Sequence, residues 1–285
     1  MHIALTCNSL NNASRQKDTR DGACSFFLNT HKKMADYDYP FNERVRSLLR
    51  MEDLFARVID NIDSPQEDHH FLALQSLLQL VDVVDRAEIK LDLLQELARQ
   101  KSVMLLLKEK HIIEAAKIDL LLGDIDEIST QIQEDSTKLG QHMRVNEWLM
   151  GIKQRTMIPG GISKIDMPSF QHWLLMPAVK RREDLALWLK PLLPVQQAVY
   201  IILHILRGSG KTKSEIATDG VFHQLLGGNK PSQMLRIQLP DDVPYYPEVS
   251  ANKYAINIRF HQLDNTKKPQ KLEQDVQFYL TLCNL

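Results

Sequence analysis

Cysteine is scarce in this 285-residue sequence: Cys7, Cys24 and Cys283 are scattered and form no C-x-x-C pair. A disulfide framework and a zinc cluster are thereby disfavoured, and a reducing compartment fits. Long hydrophobic runs are missing too. The longest, VYIILHIL at Val199–Leu206, is far short of the ~20 residues that cross a bilayer. The first residues, MHIALTCNSLNN, lack the basic n-region of a secretory signal, so the expected location is the cytoplasm, with no membrane partner. Neither sign of charge dominates: 35 Lys and Arg stand against 36 Asp and Glu, a formal net charge of −1. General attraction to nucleic acid is not expected, and any basic site must be local.

With 44% hydrophobic and 25% charged residues, the chain has enough apolar material for one large domain or two smaller ones. Residues 1–38 show neither helical nor strand period and read as a disordered tail or a mis-assigned start, with Met34 as an alternative start. From Phe41 the period changes. Phe41, Val45, Leu48, Leu49 and Phe55 form one stripe of an amphipathic helix. In DSPQEDHHFLALQ, Ser64 is placed to cap a second helix, with Pro65 at its first position and Glu67 completing a capping box; Leu74, Leu77, Leu78, Val81 and Val84 carry its buried face. A kink or tight turn is expected at Asp85–Ala87, then a third helix through Ile89, Leu93, Leu94 and Leu97. A long helix follows from Ile112 to about Gly140, and a shorter one around Trp148 and Ile152. IPGGISKIDMPSF forces an irregular connection. Helix resumes near Pro168, pauses at Pro177 and is interrupted at Pro191 and Pro194. VQQAVYIILHIL is apolar on nearly every side, which places it at the centre of the helical core.

After Arg207 the period becomes two. MLRIQLP, KYAINIRF and DVQFYLTL alternate apolar and polar residues as half-buried antiparallel strands do. The expected class is α+β. An all-helical domain at 39–207 precedes a small antiparallel, sandwich-like domain at 208–285, packed against the helices.

RGSGKTKS at Arg207–Ser214 carries the Gly210-Lys211-Thr212 ending of a phosphate-binding loop. The required first glycine is replaced by Ile205, and the segment follows a helix and leads into strands, the reverse of the working order. Arg207 and Gly208 are expected instead to end the helix through charge and a left-handed cap. His69 and His70 are adjacent, so they point to different helix faces, and both are expected in water. No G-x-S-x-G elbow is present, nor G-x-G-x-x-G after a strand. On the first helix Arg46, Arg50, Asp53 and Arg57 share the face opposite the apolar stripe. A self-paired solvated face is the ordinary reading of that row, as it is for Lys253 and Arg259 on the polar side of a strand. Arg86 stands at an interhelix join, where a donor can project off a helix end.

Four motifs occur in order: N-E-R-V-R-x-x-L-R-M-E, D-R-A-E-I-K-x-x-L-L-x-E-L-x-R-Q, I-P-G-G and S-A-N-K-Y-A-I-N-I-R-F. Together they resemble the ZapD family of bacterial cell-division proteins, over about Tyr39 to the C-terminus. The resemblance implies a cytoplasmic homodimer at the midcell division ring, with a helical and a β domain. It implies binding to the C-terminal tail of the tubulin-like GTPase FtsZ, bundling of its filaments, no catalysis and no cofactor. For a basic docking surface it points to Arg50 in L-R-M-E, Arg86 in D-R-A-E, Lys253 in N-K-Y and Arg259 in I-R-F. Glu147, in R-V-N-E-W, stands where relatives can carry a basic residue, with Arg144 nearby as its substitute. The competing readings are a nucleotide-binding enzyme using Gly210-Lys211-Thr212 and a nucleic-acid binder using the basic surface.

Overall fold

The structure, a computed structural model, describes residues 33–285 except 86–87, 110–114, 136, 164, 228–231, 253, 264–267 and 285. Its first element is a strand, β1 (Met34–Pro40). Nine α-helices follow among the described residues: α1 (Glu43–Ile62), α2 (Glu67–Val84), α3 (Ile89–Glu109), α4 (Ala115–Glu134), α5 (Gln141–Arg144), α6 (Glu147–Thr156), α7 (Pro168–Leu175), α8 (Ala178–Leu189) and α9 (Leu193–Gly208). Then come β2 (Thr212–Ala217), β3 (Val221–Leu225), β4 (Met234–Pro240), β5 (Tyr245–Ala251), β6 (Ala255–Gln262), β7 (Gln270–Lys271) and β8 (Val276–Cys283). The α+β class holds, with the helical region ahead of antiparallel sheets.

One sheet runs β1-β4-β8-β2 and the other β3-β6-β5, with β7 beside β6. Leu235, Ile237, Leu239, Phe278 and Leu280 of the first sheet meet Ile256, Ile258 and Phe260 of the second in a closed apolar layer. The opposite face of the first sheet meets the helices, where Met234 and Cys283 pack on Val45 and Leu206. Burial pushes the Cys283 thiol up to about 11, with Asp38 adding to the effect.

Residues 34–38, read as tail from the sequence, are therefore structural. Ala35, Tyr37 and Tyr39 alternate with Asp36 and Asp38, and β1 pairs with β4 from Met34↔Pro240 to Pro40↔Met234. The β-rich part draws a strand from each side of the helices. In the helical part α9 lies at the centre, with Val195, Ala198, Val199, Ile202 and Leu203 all buried. One side of it faces solvent, where Tyr200 stacks on His204 at 5.8 Å. The run Ala178–Gly208 is long and apolar enough to cross a membrane by length and composition, but 56% of its apolar window is buried inside this fold. The expected interruption at Pro191 and Pro194 is only a 3-10 turn, Lys190–Leu192. Pro194 falls in the first turn of α9, where its missing N–H has no helical partner to lose.

Two helix ends depart from expectation. Helix α2 begins at Glu67 with Gln66 as its cap residue, and Ser64 Oγ instead accepts from the Gln66 N–H at 3.2 Å. The chain before α2 is committed elsewhere, because Arg181 draws on the Pro65 carbonyl at 3.0 Å. Helix α9 ends at Ser209 in right-handed geometry, with its Oγ donating to the Leu206 carbonyl at 2.6 Å, so no left-handed glycine cap forms at Gly208. The Arg207 guanidinium is bound to acidic side chains, not to the helix terminus.

His70, expected in water, is fully buried. Its Nδ1 accepts from Arg181 Nε at 2.9 Å, which leaves Nε2–H to donate to the Ile62 carbonyl at 3.0 Å. Arg181, 3% exposed, also donates to the carbonyls of Leu174 and Met176, tying α7, α8 and the α1–α2 loop together. Burial lowers the His70 pKa, although its bond to Ile62 works the other way, and the charges of Arg181 and Arg182 lower it further. The unfolded chain takes up this proton near the ordinary value of 6.5, where folded His70 stays neutral. Its contribution to stability is therefore complete above about pH 6.5 and declines as pH falls through the lower folded pKa. A histidine NMR titration should place the His70 midpoint below 6.5; a midpoint above that would contradict the assignment.

The helical and β-rich parts are joined by four charged side chains. Arg207 on α9 donates to Asp38 on β1 at 2.9 Å and to Glu52 on α1 at 2.6 Å. Arg236 on β4 donates to the same Asp38 at 2.7 Å. Asp38 retains 12% side-chain exposure and Arg207 23%. Burial opposes the Asp38 charge, and Arg236 and Arg207 outweigh it, holding the carboxyl below the usual carboxylate range. Its stabilisation is thus present above about pH 4, the unfolded value, and is lost as pH falls through the lower folded pKa. Asp38→Ala should cost about 2–3 kcal/mol in denaturant unfolding at neutral pH, because two guanidiniums lose a shared partner. The penalty should shrink in acid; one that grows there would contradict the linkage.

Candidate partner-docking surface

Helix α1 starts because the Asn42 side chain accepts from the Val45 N–H at 2.9 Å. Its inner face, Val45, Leu48, Met51, Leu54, Phe55 and Val58, is buried. Four arginines lie on this helix, and three have carboxylate partners. Arg44 reaches Asp92 on α3 at 2.7 Å, Arg46 reaches Glu43 at 3.0 Å and Arg57 reaches Asp53 at 2.6 Å. Arg50 lies between the last two pairs, exposed and without an ion pair among the described residues. The solvated, self-paired row is present, and Arg50 is its one arginine without an ion pair among the described residues.

The other candidates separate. Arg86 and Lys253 lie outside the described residues. Arg144 ends α5 in a committed position: 18% exposed, it binds Asp85 at 2.5 Å and donates to the Val81 carbonyl at 3.2 Å. It therefore caps the C-terminal end of α2, where a cation meets unsatisfied carbonyls. Glu147 opens α6 behind the Asn146 cap, whose side chain accepts from Leu149 N–H at 3.1 Å. An acid in a first turn suits the helix dipole. Arg259 is exposed on β6, between buried Ile258 and Phe260, so it faces away from the other sheet and from the helices docked on that sheet. Opposite it in register stand Val221 on β3 and Glu248 on β5. Arg50 and Arg144 belong to the helical part and Arg259 to the outer β face, so these three do not converge on one pocket.

An aromatic feature near Arg144 was not anticipated from the sequence. All three tryptophans meet, Trp148 from α6, Trp173 from α7 and Trp188 from α8, with ring centroids 5.8–6.1 Å apart. Trp173 is buried, while Trp148 and Trp188 are half-buried. The indole of Trp173 donates to Asp184 at 3.0 Å, and the Trp188 carbonyl bonds His142 Nε2 at 2.8 Å. The signal was available as three tryptophans in a chain with few aromatics, but their meeting depends on the packing of three helices.

At Gly210-Lys211-Thr212 the chain turns from α9 into β2. A Cβ on Gly210 would collide with the Leu282 backbone of β8, so this glycine allows a close helix-to-strand crossing. Helix α9 leads into it and strand β2 follows, whereas a phosphate-binding loop requires a strand directly before and a helix directly after. Among the described residues no group of three or more His, Cys, Asp or Glu could hold a metal ion.

The site thus consists of a helical body joined to an antiparallel sandwich, with exposed cations and a half-buried cluster of tryptophans. Comparison gives the class: a cell division protein, matched by a family profile over residues 49–259. The chain belongs to that family, ZapD. The cell division protein ZapD of Janthinobacterium sp. (strain Marseille) is 43% identical over 251 residues, 88% of this chain and 100% of the relative. Those of Azoarcus sp. (strain BH72) and Aromatoleum aromaticum (strain DSM 19018 / LMG 30748 / EbN1) are 38% and 39% identical, over 88% and 87% of this chain and 100% and 97% of their own.

Arg144 and Arg50 should therefore respond oppositely in thermal melts. Arg144→Ala removes an ion pair and a carbonyl contact and should destabilise by about 1–2 kcal/mol, whereas Arg50→Glu should stay within about 0.5 kcal/mol of the parent. Equal effects would show that Arg50 is structurally committed after all.

Proposed function

We propose that this protein binds the C-terminal tail of FtsZ in the cytoplasm and, as a homodimer, crosslinks and bundles FtsZ filaments at the midcell ring. Membership of the ZapD family supports the process, cell division. The observation that supports the docking chemistry is Arg50, an exposed arginine without an ion pair among the described residues, in a row whose other arginines are paired. A free guanidinium offers a planar fork to a carboxylate, including a chain terminus. Arg86, Lys253 and Arg259 are further proposed contacts, and Arg144 serves by holding the α2 end in place.

Valence explains bundling. A molecule with one tail site decorates a filament, whereas a two-fold dimer carries two equivalent sites and joins two filaments. Many tails on each filament raise the effective concentration, so micromolar single contacts, about −8 kcal/mol, suffice. Exposed ion pairs contribute only ~0.2–1 kcal/mol each, so an apolar tail residue must also be buried. Trp148 and Trp188 are the proposed apolar area.

Pelleting with FtsZ filaments tests the reading. The protein should co-sediment with full-length FtsZ and not with FtsZ lacking its tail, and added salt should weaken the interaction. Arg50→Glu, and separately Arg86→Glu, should reduce pelleting with the dimer and melting temperature unchanged, and the two together should reduce it further. Equal pelleting with tail-less FtsZ would overturn the proposal.

A further inference from the structure

Strands β2 and β3 are consecutive, yet they belong to different sheets, and each forms the outer edge of its own. The connection is tight. Asp219 and Gly220 both adopt positive φ, 48° and 70°, and a Cβ on Gly220 would strike the Leu272 carbonyl. The two edges therefore stand side by side at one flank of the sandwich.

That flank does not close. Ala217 fills its core-facing position on β2 and is fully buried, but Glu215 and Lys213 occupy the next two, in register with Phe278 and Leu280 of β8. Between the sheets remains a cleft of about 180 Å³, lined by Lys211, Lys213, Glu215, Gln224, Leu280 and Leu282. Gln224 comes from β3, and its Oε1 is buried without a hydrogen-bond partner among the described residues. Lys211, Lys213 and Glu215 form no ion pair among the described residues. Inward-pointing lysines on an edge strand are a known way of discouraging aggregation. That role accounts for the lysines, but it requires neither an open cleft nor an unsatisfied acceptor in its wall, which carries a desolvation cost.

We propose that this cleft and the free edge of β2 form a docking groove for an extended acidic peptide, added to the first sheet as a further strand. The outer edge of β2 pairs with no further strand among the described residues, so its main-chain donors and acceptors are available for strand-addition recognition. Alternate side chains of an added strand point the same way. One such row would place carboxylates against Lys211 and Lys213 and an apolar side chain over Leu280 and Leu282. A peptide N–H or amide donor would satisfy Gln224 Oε1. With two lysines and one glutamate along the row, the local charge favours an acidic occupant. This groove is separate from Arg50 and does not depend on FtsZ binding.

A fluorescein-labelled octapeptide of alternating Glu and Val, titrated with the full chain in fluorescence anisotropy, tests the proposal. Binding should be saturable, and the β2 amides should gain hydrogen-exchange protection. Lys211→Glu with Lys213→Glu should weaken it at least about tenfold, and Gln224→Met should weaken it less. If the charge reversal unfolds the chain, Lys211→Gln with Lys213→Gln replaces it, with the melting temperature as control. A peptide with central proline, which cannot complete the ladder, or with Lys for Glu should not bind. The proposal is overturned by no binding up to about 1 mM, by equal binding of the proline peptide, or by affinity indifferent to the lysine variants. Self-association of the chain through β2 that excludes the peptide would also overturn it.

Discussion

Asp38 is the residue through which the two halves of this fold are joined. It comes from a strand that precedes every described helix, and its carboxylate is shared by Arg207 at the end of α9 and Arg236 on β4, while Glu52 on α1 takes the other side of Arg207. Two acids and two bases thus balance in a half-buried place. Such clusters contribute little net stability relative to well-packed apolar groups, but one partner cannot be removed without leaving another exposed to an uncompensated environment. The arrangement therefore acts mainly as a specification. Strand β1 must pair with β4, and α1 must then leave from a fixed point on the sandwich. Met234, Cys283, Val45 and Leu206 seal the same junction with apolar contacts.

A second polar network does similar work inside the helical part. Arg181 is buried without an ion pair among the described residues, and its charge is solvated by His70 and the carbonyls of Pro65, Leu174 and Met176. Those carbonyls lie at loop and helix ends, where backbone acceptors are otherwise unsatisfied. One guanidinium completes several at once. The same ties fix how α7 and α8, which carry Trp173 and Trp188, pack against the α1–α2 loop.

The arginines show how differently identical side chains can be used. Arg44, Arg46 and Arg57 are paired, Arg144 caps a helix, Arg181 is a buried tie, Arg207 and Arg236 share Asp38, and Arg50 and Arg259 are exposed without ion pairs among the described residues. Sequence spacing put Arg46, Arg50 and Arg57 on one face correctly, because helical geometry alone determines that. It could not say which would find a carboxylate. Nor could it show that Arg259 faces away from the helices, since that depends on which sheet docks on them. Arg86 and Lys253 lie outside the described residues.

Local periodicity was enough to reveal the α+β class, the inner faces of the helices and the three strands β4, β6 and β8, since a repeat of 3.6 or 2 residues is a property of the backbone itself. Strands β1, β2 and β3 were not recognised, because they are edge-lying or charged and owe their state to a distant partner, and β5 was missed because Pro247 and its polar residues hide a strand period although its partner β6 is next in the chain. The Ser64 cap, the Gly208 cap and a solvated His70 were each reasonable from neighbours in the chain, and each was overridden by a group more than a hundred residues away or by the chain's next turn. Tertiary structure alone decided which polar groups are buried, which charges are shared and which remain free, for the physical reason that electrostatic and hydrogen-bond partners are chosen by distance in space, and sequence order carries that distance only within a single element.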